Sequence, residues 1–454
     1  MIGRRFLAAA VVLTLAVAFV PGCQPRGGSG GAEEEIGAVQ VMGVWGGAEL
    51  ENFTAVAKGW EQETGGTMNF EGTRDLSAIL RARVSGGNPP DIAILPNPAL
   101  LQQYAENMQP LDEAVDMDQL RQDYGETWIE QGTVNGQFYG IFIKASPKST
   151  IWYNPKQFQE KGYQAPQTWD ELEQLAASME QAGDTPWSVG LESGGASGWP
   201  GSDWIQEIYL SENGPEKYDQ WVNHEIPWTD PTIKAAFERF GDMVLKDGYV
   251  AGGKDAILST PFQDASYLPY EDPPKAQMFF LGSFAQGFIE EQFPDLQAVQ
   301  DYDFFQTPAV NPQYQGSVTG GGDIAVMFND TPSARSLLAY LAKGDSWTPW
   351  AEAGGFTTPN RSFDASAYPD PLTQKAAQQL TGSEIFRFDA DDLMPAELQN
   401  AYWRGILDYV EDPGRIDTIL ADIEKVAEEA YAGREAEQQA PPSGAPTGSE
   451  TATQ

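Results

Sequence analysis

The stretch that decides the fold lies between residues 39 and 96. It opens with "VQVMGVW" (39–45), a near-continuous apolar run of the kind a strand covered on both faces requires. Residues 49–64 follow with Phe53, Val56, Ala57 and Trp60 spaced along one helix face. "TMNFEG" (67–72) and "DLSAILRARVSG" (75–86) repeat the pattern, and "DIAILP" (91–96), introduced by Pro89 and Pro90, reads as a third buried strand. Strand and helix alternating in this order predict parallel strands joined by right-handed crossovers in an open α/β sheet. Such sheets take ligands beyond the carboxyl ends of their strands. That points to three loops: 46–49, 72–75 and 96–98.

Beyond this region, "YGIFIKASPKSTIWYN" (139–154) gives two short strands around a polar, kinked stretch. Helices are expected at 169–181, 203–211 and 231–246, and apolar strands return in "AQMFFLG" (276–282) and "DIAVMF" (323–328). Both later strands resemble those of the first lobe. The simplest arrangement is therefore an α/β lobe of residues 38–143 and 278–329, with a second, helix-rich lobe of residues 144–277 and 330–433. Several crossovers between two lobes make a hinge.

The ends of the chain carry no core. Arg4 and Arg5, an apolar run over 6–20 and Pro21-Gly22 before Cys23 read as an export signal over residues 1–22, too short to span a bilayer. Residues 23–37 read as a flexible tether, and 434–454, rich in Pro, Gly, Ser and charge, as a disordered tail. Cys23 is the chain's single cysteine, so an intrachain disulfide and a cysteine metal site are both excluded. The single histidine, His224, leaves little room for histidine catalysis or a multi-histidine metal site and reads as a surface or packing residue. Neither a metal nor a cofactor is expected. Sixty-six acidic against 27 basic residues give a formal charge of −39. That argues against nucleic acid and polyanions, whose binding rests on Lys and Arg, and suits a solvated acidic surface.

The residues also carry a family resemblance. "WEQETGGTMNFEGTRDLSAILRARVSGGNPPDIAILP" (60–96), the 139–154 crossing with "PQTWDELEQLA" after it, "DPPKAQMFFLGSF" and "GGGDIAVMFNDTPSARSLLAYL" together resemble the extracellular solute-binding lipoproteins of carbohydrate ABC importers. These are maltose-binding-protein-like proteins, and "YDQWVNHEIPWTDP" and "VAGGKDAILSTPFQDA" are most similar to the α-glucoside-binding branch. The resemblance implies a two-lobe periplasmic-binding-protein fold, type II-like, that closes on a small α-glucoside such as trehalose, sucrose, glucosylglycerol or a maltose-like sugar without chemistry on it. Partners would be membrane permease subunits, with the protein a monomer. Val20-Pro21-Gly22-Cys23 resembles a lipobox, implying lipidation of Cys23 and anchoring at the membrane.

A sugar needs flat aromatic faces for its C–H surfaces and directional polar groups for its hydroxyls. "SGWPGSDWIQEIYL" supplies Trp199 and Trp204 around Asp203, which sits either as a helix cap or against ligand. Trp221 and Trp228 flank a second loop and are read as core packing. In the first lobe Glu49, Thr73, Arg74 and Asn97 occupy the three strand-end loops. Arg74 could fork onto two hydroxyls or be a surface residue. "GSF" (Ser283, Phe284) and "TGGGD" (Gly321, Gly322, Asp323) offer backbone N–H groups at close range or simply hinge freedom. On the resemblance alone, Lys144, Ser146, Trp350 and Arg361 join the site.

Two rivals remain in view. A secreted glycosidase would need two carboxyls facing one glycosidic bond, and among 66 acidic residues no catalytic motif stands out. A lipoprotein for a non-sugar solute, such as a peptide or polyamine, suits the acidic balance but not the tryptophan-rich loops.

Overall fold

The computed structural model describes residues 36–73 and 76–439. The expected export signal, Cys23, Arg74 and residues 440–454 of the expected tail lie outside the described residues.

The described residues build two main sheets, each with its own buried core, beside a short hairpin of Thr133–Val134 and Gln137–Phe138. The first contains β1 (Ala38–Gly43), β2 (Thr67–Gly72), β3 (Ile92–Leu95), β4 (Gly140–Pro147), β9 (Val318–Met327) and β10 (Phe386–Phe388). Helices α1 (Ala48–Thr64) and α2 (Leu76–Ser85) lie between its first three strands, and α3 (Pro98–Tyr104) follows β3. The order is β10-β9-β3-β1-β2, with β4 along the opposite edge of β9. β1 pairs in parallel with β2 and β3, as the strand–helix alternation predicts, and β9 runs antiparallel to both β3 and β4. All four residues of β3 are buried, which explains its uninterrupted apolar run. β2 is the exposed edge.

The second sheet has the order β8-β5-β7-β6, from β5 (Thr150–Tyr153), β6 (Trp187–Ser188), β7 (Met278–Phe280) and β8 (Asp303–Gln306). Around it pack the helices Trp169–Gln181, α4 (Trp199–Asn213), Pro231–Val244, Ala396–Glu411 and Ile416–Gln439.

The division between the lobes differs from the expected one. Residues 278–306, expected in the first lobe, supply β7 and β8, which hydrogen-bond to Ile151–Tyr153 of the second sheet. Residues 330–388, expected in the second, pack on the first: Leu337, Leu338, Trp347 and Trp350 share a core with Val39 and Ile94, and β10 pairs with β9. The first crossing also comes later than expected, since β4 holds the first sheet through Pro147. An apolar run marks a strand as buried but does not name its partner. Only the pairing with β5 assigns "AQMFFLG".

Two smaller corrections follow. The last helix continues to Gln439, past residue 434 where the tail is expected to begin. α4 starts at Trp199 with Gly198 (φ 110°) before it, so Asp203 lies inside the helix and caps nothing. His224 is a packing residue, as read: its ring stacks on Tyr431 and its Nε2 lies 3.1 Å from Glu424. Trp221 and Trp228 are fully buried in the second core, also as read.

Candidate ligand site

Three passages of chain cross between the sheets, and they meet at one place. Lys148 and Ser149 link β4 to β5, residues 307–317 link β8 to β9, and Asp389 follows β10. Their backbones are stitched together: Lys148 N–H donates to the Thr319 carbonyl (2.8 Å), Thr307 N–H to that of Ser149 (3.0 Å) and Asp389 N–H to that of Gly320 (3.0 Å).

Helix α4 faces this junction with a polar stripe. Ser202, Asp203, Gln206 and Glu207 recur at the three- and four-residue spacing of one helix face, while Trp204, Ile205 and Ile208 turn into the second core. Lys148 reaches Asp203 (3.0 Å) and Asp389 (2.6 Å), and Gln206 Nε2 donates to both of those carboxylates (3.1 and 2.9 Å). Burial alone would neutralise Lys148, but Asp203 and Asp389 outweigh it and hold the ammonium charged well above its usual range. One ammonium does not balance the carboxyls around it. Burial, with the crowding of Asp391, pushes Asp389 up to about 6 and Asp392 to about 8. Asp391 itself accepts from Ser202 Oγ (2.7 Å) and Trp403 Nε1 (2.6 Å).

Glu207 has no cation at all among its described contacts. Its Oε2 accepts from Ser149 Oγ (2.6 Å), Thr319 Oγ1 (2.7 Å) and Thr319 N–H (3.3 Å), linking α4 to two crossings. Burial pushes its carboxyl up to about 7 despite those donors.

A second lysine cluster lies four residues back on β4. Lys144 contacts Glu49 (3.0 Å), at the start of α1, and Asp323 (3.7 Å), on β9. Its Nζ lies 5.4 Å from the Trp350 ring centre and 6.0 Å from that of Trp45, two rings packed edge to face beneath it. Burial works against the ammonium, and Asp323 and Glu49 overcome it. Asp323 is itself pushed up by burial, with Lys144 opposing.

The structure thus brings together Glu49, Lys144 and Asp323, with the buried Trp350 as their floor, and Asp203 with Gly321, whose nearest neighbours are Asp389 and Lys148. Trp199 is half-buried at the mouth of α4, its ring 5.3 Å from Lys148 Nζ and in contact with Phe262 and Phe284. Ser146 is the strand partner of Gly321, and Ser283 N–H donates to the Pro147 carbonyl (2.9 Å). Thr73, half-buried, continues from β2 and its N–H donates to the Gly43 carbonyl (2.9 Å).

Other expected residues are placed differently. Trp204 is 2% exposed, packed against Trp187 and Phe280. Five helical residues turn through about 140°, so Trp199 and Trp204 cannot serve the same surface. Asn97 caps α3 through its side chain, accepting from Leu100 N–H (3.1 Å). Arg361 is exposed beside Gly125, with its backbone N–H on the Asp123 carbonyl, and its described contacts are with that turn. The glycine run is a strand, not a free loop. A side chain at Gly320 or Gly322 would strike the carbonyls of Ser146 or Lys144, and the N–H of Thr319 is already bonded inside.

Sequence reasoning missed Lys148, Gln206, Glu207, Asp389 and Trp45. The polar spacing inside the apolar "SDWIQEIYLSE" and the acids of "FDADD" were the available signals. Their meeting point, 55 and 241 residues apart along the chain, was not.

A family model described as bacterial extracellular solute-binding protein matches residues 55–379. The osmoprotective compounds-binding protein GgtB of Synechocystis sp. is 35% identical over 401 residues, covering 88% of this chain and 94% of that protein. The alpha-glucosides-binding periplasmic protein AglE of Rhizobium meliloti is 32% identical over 398 residues, 85% of this chain and 86% of its own. The solved structure of the bacterial solute receptor AcbH superposes with a TM-score of 0.75 at 20% identity, covering 87% of this chain and 98% of that one, and so shares the fold. Among the described residues no helix is long and apolar enough to cross a membrane.

Proposed function

The chain belongs to the bacterial extracellular solute-binding protein family, and from that premise we propose that it captures a small α-glucoside between its lobes and delivers it to the membrane subunits of an ABC importer. It is a binding protein and not an enzyme. The observation that carries the reading is the arrangement around Trp199: a half-buried indole face beside Lys148 and Asp203, with Glu49 at the start of α1 and Lys144 and Asp323 on β4 and β9 of the other lobe. A flat apolar face from one lobe and clustered donors and acceptors from the other match the two surfaces of a sugar. The names of GgtB and AglE, osmoprotective compounds and α-glucosides, point to the same class. In this reading Trp199 and Phe284 stack on the ring. Glu49, Lys144, Asp323, Ser146 and Ser283 hold hydroxyls, as do Thr73 and Arg74 from the second strand-end loop.

Trehalose, sucrose, glucosylglycerol and a maltose-like sugar are the candidate ligands. Calorimetric titration of the purified protein with this panel tests the reading. Saturable heat with one member and no released glucose is the expected result. Glucose release, or no heat with any member, would overturn it. The protein is further proposed to be an exported monomer held to the membrane by lipid on Cys23. Labelled palmitate should then appear on the wild-type protein and be lost in Cys23→Ser; its absence from both would remove the anchor.

A further inference from the structure

We propose that the paired lysines make the site a charge filter, admitting uncharged glucosides and rejecting anionic ones of the same size; this rests on the sugar-binding reading above. A lysine beside a ligand cleft ordinarily serves as a point charge for a phosphate or carboxylate. Here both are already paired. Lys144 lies between Glu49 and Asp323, and Lys148 between Asp203 and Asp389. These two lysines thus face four paired carboxyl groups. Among the described residues no other basic side chain is in contact with either cluster.

An entering anion would meet this surplus in a partly buried setting, where screening by salt is weak. To reach an ammonium it would have to sit against that lysine's own carboxylates or displace one of them, and a displaced Asp323, Asp203 or Asp389 would stay buried and unpaired. A hydroxyl meets no such obstacle. It donates to the carboxylate and accepts from whichever ammonium proton is free, since an ammonium carries three donors. The same groups that hold a sugar hydroxyl therefore repel a sugar acid, which is specificity by an unfavourable element as well as a favourable one. Glu49 is the accessible member, with 38% of its side chain exposed, while Asp389 is fully buried.

The test is a matched pair of ligands, glucosylglycerol and glucosylglycerate, differing by a carboxylate in place of a hydroxymethyl group. Both are titrated calorimetrically at one salt concentration into wild type, Glu49→Gln and Asp389→Asn, with melting curves on each protein. The wild type should prefer the neutral compound by at least about thirtyfold. Removing one carboxylate should narrow the ratio by about fivefold or more. Should Asp389→Asn fail to fold, Glu49 is exposed enough for its variant to answer alone. Equal affinities in the wild type would overturn the filter and leave the sugar reading standing. A preference that survives unchanged in Glu49→Gln would overturn its assignment to these carboxylates. Binding of neither compound, nor of the other α-glucosides, would overturn the sugar reading and this inference with it.

Discussion

Lys144, on β4, and Lys148, on the crossing that follows it, stand four residues apart, each held by two carboxylates, yet their surroundings differ. Glu49, beside Lys144, is 38% exposed, whereas Asp203 and Asp389, beside Lys148, are 1% and 0% exposed. Lys144 joins the first strand-end loop to β9 within one lobe, over a floor of two tryptophans. Lys148 joins the helix of one lobe to the chain leaving the sheet of the other. An exposed pair contributes little because solvent screens it and holding it costs side-chain entropy. Breaking a buried pair leaves an uncompensated charge, which is expensive. The same residue type thus borders the ligand site in both places and in one of them also ties the hinge.

The sharpest break of this comparison is a matched pair of substitutions. Lys148→Met should cost on the order of 3–5 kcal/mol of folding stability, because Asp203 and Asp389 remain buried without their cation. Lys144→Met should cost less, because only Asp323 stays buried while Glu49 turns to solvent, and be felt mainly in ligand affinity. Chemical denaturation of both variants decides it. Equal losses of stability would erase the distinction between the two clusters.

The tryptophans of α4 offer a parallel contrast. Trp204→Ala empties a core site and should cost about 3–5 kcal/mol of stability. Trp199→Ala should leave melting nearly unchanged but weaken the glucoside by about 1–3 kcal/mol, or roughly ten- to a hundredfold. A Trp204→Ala protein that melts normally, or a Trp199→Ala protein of undiminished affinity, would contradict these placements.

A smaller effect is expected at Glu207, where the pH dependence has a definite sign. Burial raises this carboxyl to about 7 in the folded chain, above the ordinary unfolded value of about 4.3. The folded state therefore favours the protonated form, so the penalty of ionisation is absent below the unfolded value and complete above pH 7. Glu207→Gln, whose amide keeps an acceptor for Thr319 N–H, should melt higher than wild type at pH 8 by about 1–3 kcal/mol in stability. The advantage should vanish towards pH 4.5. An advantage that grew on acidification would reverse the assignment. The smallest change concerns the chain as a whole: at −39, self-repulsion should be screened by salt, raising the melting temperature by a few degrees between about 0.05 and 1 M sodium chloride.

The strands and helices were largely legible because burial writes itself as periodicity. "DIAILP" contains the four-residue strand Ile92–Leu95, and the helix expected at 169–181 is Trp169–Gln181. Lobe membership was not, because "AQMFFLG" fits either sheet until its partner is known. Of the site, Glu49, Asp323 and Lys144 converge from the loops and crossing where the sequence placed them. Lys148 and Asp389 meet only because β9 lies between β4 and β10, which no local pattern encodes. Trp204 was misplaced because the helix starts at Trp199 and not at residue 203, which puts the two rings on different faces of one helix.

The central claim is capture between two lobes, and it is tested most directly by small-angle scattering of one preparation with and without the glucoside that calorimetry identifies. A ligand that binds the shut form better draws the population towards it, so the radius of gyration should fall at saturation. An identical scattering profile in the two states, with saturation confirmed by calorimetry on the same sample, would contradict the account.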